Sequence, residues 1–144
     1  MGGRHTYCAS STLTVNAPRG DVWALWADVT GWSNWHPAVA SALIEGNFRA
    51  GSEVTIYFTD GTVATPILTS VEQGEGFIDE MPLSFGLLRN THRMVSAGDL
   101  LTITHTVEAE IDSAAGERFG ADQWLRLQAQ VGEALAALAD LAQA

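Results

Sequence analysis

The sequence predicts an α+β fold, an antiparallel sheet packed with a long C-terminal helix. Three observations carry this. Asp60-Gly61 and Gly98-Asp99 are two-residue hairpin signals, each set between alternating stretches. Leu101, Ile103, His105, Val107, Ala109 and Ile111 alternate with Thr102, Thr104, Thr106, Glu108 and Glu110, the period of a half-buried strand. Trp124, Leu127, Val131, Leu135, Leu138 and Leu141 form one apolar stripe in a segment of good helix formers.

In chain order, Met1–Thr6 reads as a loose tail, and Tyr7–Val15 as a Thr-rich strand ended by Asn16-Ala17-Pro18. Pro18 suits a first helical turn, and Val22, Leu25, Trp26 and Val29 recur at helical spacing. Gly31 interrupts; Trp32–Pro37 reads as a second short helix. The period then changes to two. Strands are predicted over Val39–Glu45, Glu53–Thr59, Val63–Glu72, Phe77–Met81, Leu87–Ser96 and Leu100–Ile111. A two-residue turn at Asp60-Gly61 pairs Phe58 with Val63, Ile56 with Thr65 and Val54 with Ile67. A turn at Gly98-Asp99 pairs Met94 with Ile103, His92 with His105 and Asn90 with Val107. The inward face of residues 77–81 stays open. At the last helix, Gly116 and Gly120 kink a longer helix or Ala121-Asp122 starts a shorter one. Strand, two short helices, six strands and one helix make the α+β order.

With 144 residues, 47% of them hydrophobic, the chain can build one core, and one domain is expected over 1–144. No apolar run approaches the length of a membrane span, and no basic-then-apolar leader opens the chain. The net charge is −10, with seven Arg and no Lys. Phosphate backbones need basic clusters, so nucleic acid is not an expected partner. Cys8 is the single cysteine, which rules out an internal disulfide and suits the cytoplasm. A monomer or homodimer is expected.

Ala17-Pro18, Val22-Trp23 through Asp28, and then Trp32-Ser33-Asn34-Trp35-His36-Pro37 resemble the opening unit of the SRPBCC superfamily, which includes START-like, Bet v 1-like and polyketide cyclase/dehydrase-like proteins. The element order extends the resemblance from Tyr7 to Ala142. It implies a helix-grip fold: a seven-stranded curved antiparallel sheet around the last helix, with a cavity for an apolar or amphipathic molecule between them. Members bind, transport, cyclise, dehydrate or sense with different cavity residues, so fold alone does not assign activity. The expectation is a binding domain for an apolar or aromatic, lipid- or polyketide-like molecule, without a cofactor. The alternatives are a cyclase or dehydratase, and a regulatory or stress-response partner domain.

Chemistry concentrates on His92 and His105. Both fall on an apolar strand face, and the register makes them direct neighbours. Imidazole suits acid/base work near neutral pH, so these are the candidate catalytic residues; the plainer reading makes them hydrogen-bonded polar groups of a partly wet cavity. A metal would need a third ligand such as Glu80 or Asp79, and nothing in the sequence demands one, so none is expected. Asn90 shares their face and can orient a ligand through its amide. Trp32 and Trp35 can stack on a flat ligand or serve as packing. Ile56, Phe58, Met94, Ile103, Leu127 and Val131 complete the expected apolar lining. Phe48–Gly51 and Met81–Gly86 are apolar loops suited to gating a pocket or to ordinary packing.

Overall fold

The computed structural model describes residues 4–112, 115–116, 118–119 and 123–144. In order come β1 (Arg4–Val15), α1 (Arg19–Ala27), a 3₁₀ turn η1 (Val29–Asn34), β2 (Val39–Ile44), β3 (Val54–Phe58), β4 (Val63–Ala64), β5 (Ile67–Glu72), β6 (Gly76–Leu83), β7 (Gly86–Ala97), β8 (Leu100–Asp112) and α2 (Gln123–Gln143). All strand pairs are antiparallel. The order is β1-β8-β7-β6-β5 in one ladder and β2-β3-β4 in the other, joined by the bridge of Glu53 to Ile67. The α+β helix-grip architecture is thus present.

Three expectations about the strands are corrected. Arg4–Thr6, expected in a loose tail, extend β1 and pair with Glu110–Asp112; the Arg4 guanidinium also meets the Glu110 carboxylate at 3.2 Å. The strand expected over Val63–Glu72 is broken, giving eight strands among the described residues instead of seven. Pro66 has no N–H to donate, and its carbonyl instead accepts from Val54 N–H at 2.9 Å. The Asp60-Gly61 turn lies at the expected tip, but the loop holds three residues, so the register moves by one: Tyr57 faces Val63 and Ile56 faces Ala64. Gly61 occupies the left-handed region at φ 90°, and Asp60 Oδ1 accepts from Thr62 N–H, the pattern of a turn closed by a left-handed residue. The second hairpin keeps the expected register from Leu88–Ala109 to Ala97–Leu100.

The Trp32–Pro37 helix is replaced by η1, which starts at Val29 and contains Gly31. Trp32 Nε1 donates to Trp26 O at 2.9 Å, so the indole itself ties η1 back onto α1. Arg19 fastens α1 to the sheet through Gly74 O at 2.6 Å and Ser96 Oγ at 2.8 Å.

α2 packs over the inner faces of β1 and β8. Its buried residues are Trp124, Val131, Ala134, Leu135, Leu138 and Ala139, whereas Leu127 is partly buried and Leu141 exposed. Gly120, one of the two expected kink positions, and Ala121-Asp122, the expected alternative start, lie outside the described residues. The core forms two clusters. One gathers α1, η1, Met94, Ile103 and the C-terminal half of α2; the other gathers Val107, Ala109, Ile111, Phe119, Trp124 and Val131. No helix among the described residues is long and apolar enough to cross a membrane.

Candidate functional site

A cavity of about 760 Å³ opens between the sheet, η1 and the N-terminal half of α2. Period-two alternation builds its floor. On β6, Asp79, Met81 and Leu83 face inward; on β7, Leu88, Asn90 and His92; on β8, His105 and Val107. Ile56 and Phe58 come from β3, Trp32 and Trp35 from η1 and its end, and Leu127 and Val131 from α2. All of these except Asp79, Met81, Leu83, Leu88 and Val107 were candidate residues. Met94 and Ile103, also expected in the lining, do not reach the cavity. Both are inward-facing, but α1 and the C-terminal half of α2 cover that end of the sheet and bury them at 3% and 0% exposure.

The polar floor is continuous. Register places Asp79 opposite Asn90, and His92 opposite His105. Asn90 Nδ2 donates to Asp79 Oδ1 at 3.4 Å, and His105 Nε2 lies 3.1 Å from Asn90 Oδ1. The Asp79 carboxyl oxygen accepts from the Asn90 amide and so orients it, and the amide oxygen then calls for a proton on His105 Nε2. This leaves His105 a fixed tautomer with Nδ1 as acceptor. His92 is held by stacking instead. Its ring lies 4.3 Å from Phe77 at 7° and 4.1 Å from His105 at 27°. Neither ring nitrogen of His92 has a partner in the protein among the described residues, and Nδ1 of His36 has none either.

Burial sets the charge states. It holds His92 well below the ordinary imidazole range, and the neighbouring His105 and His36 act in the same direction. His105 is lowered to about 3 and His36 to about 4, in both cases chiefly by desolvation. All three are neutral imidazoles near pH 7, each able to donate once and accept once. Asp79 moves the other way: burial raises its carboxyl to about 7, the Asn90 hydrogen bond opposes this, and the Glu80 charge reinforces it. Glu80 is occupied on the opposite face by Arg89, with contacts of 2.8 and 2.9 Å. No group of three His, Cys, Asp or Glu among the described residues is arranged to hold a metal ion.

Asp79, apart from its mention as a metal ligand, and His36 were not singled out from the sequence. The missing signal for Asp79 lay in the Ser84-Phe85 turn. It pairs Leu83 with Gly86 and so puts Asp79 on the face of Asn90.

Residues 7–143 match the family described as polyketide cyclase / dehydrase and lipid transport. No curated protein sequence matches the chain. Solved structures share the fold at low identity. A norcoclaurine synthase point mutant from Thalictrum flavum, in complex with a transition-state analogue, is 16% identical at a TM-score of 0.71, covering 97% of this chain and 96% of that one. The di-domain ARO/CYC BexL of the BE-7585A biosynthetic pathway is 14% identical at a TM-score of 0.73, covering 96% of this chain, which spans 50% of that protein. A protein from Thermobifida fusca is 22% identical at a TM-score of 0.67, covering 92% and 90%.

Proposed function

The chain belongs to the polyketide cyclase / dehydrase and lipid transport family, and we propose that it binds an apolar or aromatic small molecule inside the cavity, with the polar end of that molecule on the His92–His105–Asn90–Asp79 floor. One observation carries this reading. Among the described residues, two buried nitrogens of His92 stand without a protein partner at the wall of a cavity of about 760 Å³. An unmade hydrogen bond on a buried group costs about 1–3 kcal/mol, so such a group suits a ligand that completes it. The volume lies in the range of small-molecule sites, and the walls supply Phe58, Trp32 and Trp35 for contact with a flat ligand.

A second reading, a cyclase or dehydratase, draws support from the same free imidazole. His105 is committed to Asn90, whereas His92 retains a donor and an acceptor for a substrate carbonyl or hydroxyl. The lowered proton affinity of both rings favours hydrogen bonding and brief proton relay over a standing imidazolium.

Binding is tested with 9-anthracenemethanol, whose absorption overlaps tryptophan emission. Saturable quenching of the tryptophan emission at one molecule per chain is expected. Leu127→Trp places a large side chain in the void and should weaken binding at least tenfold while the circular dichroism spectrum is kept. Absence of saturable binding, or binding indifferent to Leu127→Trp, would overturn the reading.

A further inference from the structure

Asp79 is the acid at the cavity floor, and among the described residues its setting lacks a positive charge. The residue is 6% exposed, and its side chain accepts from the neutral Asn90 amide at 3.4 Å. On β6 itself, Glu80 points to the other face, paired with Arg89 of β7. The inward neighbours on β7 and β8 are Asn90, His92 and His105; β5 offers Leu68 across the ladder, and the segment between η1 and β2 contributes His36. The imidazoles are neutral. The remaining charged residues of the lining are Asp60 on the β3–β4 turn and Arg126 of α2, both exposed at the rim. A buried carboxyl without a cation is costly when ionised, and proteins normally supply the counter-charge themselves.

We propose that the ligand supplies it: the cavity takes a hydrophobic, aromatic amine whose protonated nitrogen sits on the Asp79 carboxylate and whose ring system lies against Trp35, Phe58 and the apolar wall. This rests on the ligand-binding reading above and names the chemical class of the ligand. The polar geometry suits an ammonium group. Its several N–H donors need acceptors, and the floor offers the carboxylate oxygens and the acceptor nitrogen of neutral His92. Aromatic walls add cation–π attraction. The net charge of −10 favours the approach of a cation over that of a carboxylate ligand. Where Asp79 is protonated in the empty cavity, binding releases that proton to solvent, so charge and protons balance.

The test compares three molecules with one ring system: 9-(aminomethyl)anthracene, 9-anthracenemethanol and 9-anthracenecarboxylate, titrated into the intact chain by calorimetry. The amine should bind at least tenfold more tightly than the alcohol, as a charge-assisted contact warrants, and the carboxylate more weakly than either. The amine's affinity should rise from pH 6 to pH 8 as the Asp79 carboxyl, raised to about 7, loses its proton; the alcohol's should stay flat. Asp79→Asn keeps the shape and should bring the ratio of amine to alcohol affinity down to about one. Equal binding of amine and alcohol in the wild type, which needs no variant, overturns the inference while the ligand-binding reading stands. An unchanged amine-to-alcohol ratio in folded Asp79→Asn also overturns it. Failure of all three molecules to bind overturns the ligand-binding reading and this inference with it.

Discussion

Acidification from pH 6 to pH 5 should weaken the fold, and the size of the loss follows from four buried groups. His92, His105 and His36 have depressed proton affinity in the folded chain, so at pH 5 they remain largely neutral there while the unfolded chain protonates them. Their stabilisation is fully present above the unfolded value near 6.5 and is lost as pH falls below it. Each contributes about 1.2 kcal/mol over this single unit of pH. Asp79 works against them. Its carboxyl, raised to about 7, takes up its proton in the folded state first, which favours folding at lower pH by about 1.3 kcal/mol over the same interval. The balance is a loss of about 2 kcal/mol. For a chain of this length that corresponds to roughly 7 °C in melting temperature.

Urea unfolding followed by circular dichroism at pH 5, 6 and 7 measures the effect, with the midpoint as readout and a constant m-value as the check on two-state behaviour. Between pH 6 and 7 the curve should flatten, because the histidine contribution ends near 6.5. A stability that is constant or rises on going from pH 6 to pH 5 would refute the reasoning. It would mean that the imidazoles protonate in place, by drawing water or a counter-ion into the cavity.

Asp79→Asn should steepen the same pH dependence, since it removes the opposing group; the loss from pH 6 to pH 5 is expected to reach about 3.5 kcal/mol in urea titrations. His92→Phe keeps the stack between Phe77 and His105 but deletes two unpartnered buried nitrogens, so unfolding free energy should rise by about 1–3 kcal/mol while affinity for a polar-headed ligand falls. Ile103→Ala opens a void in a fully buried spot away from the cavity; about 2–5 kcal/mol of stability should be lost with ligand affinity retained in the folded fraction.

Much of the fold was legible because two signals agreed wherever the sheet is regular. In β7–β8, the Gly98-Asp99 turn and the alternation of Leu101–Ile111 each imply one register, and both imply the same one. At the first hairpin they conflicted without showing it. A two-residue turn and a three-residue turn closed by Gly61 are both served by Asp-Gly, and the strands there are too short for alternation to decide. The break at Pro66 belongs to the same region: the residue was visible, but a proline at an edge is tolerated, so its position between two ladders had to come from the pairing of Val54 with the Pro66 carbonyl. Arg4–Thr6 looked like a tail because no apolar residue marks them, yet they pair as far as β8 extends.

The cavity residues divide along a different line. Alternation tells which face a side chain takes, and on that count Asn90, His92, His105, Met94 and Ile103 all point inward. It says nothing about what lies above that face. Met94 and Ile103 meet α1 and the C-terminal half of α2, while Asn90, His92 and His105 meet open volume, and the boundary is set by where the helices cross the sheet. Asp79 escaped notice for the opposite reason. Over the predicted stretch Phe77–Met81 alone, Phe77 and Met81 fall on one face and Ile78 on the other, too short a pattern to select one; the strand in fact runs on to Leu83. Hairpin geometry does select. Ser84-Phe85 is a two-residue turn, Leu83 meets Gly86, and counting back four pairs sets Asp79 against Asn90, whose face β8 had already fixed. Where a strand's own pattern is silent, the register of its neighbour is the stronger source, and here it leads to the carboxyl on which the ligand inference rests.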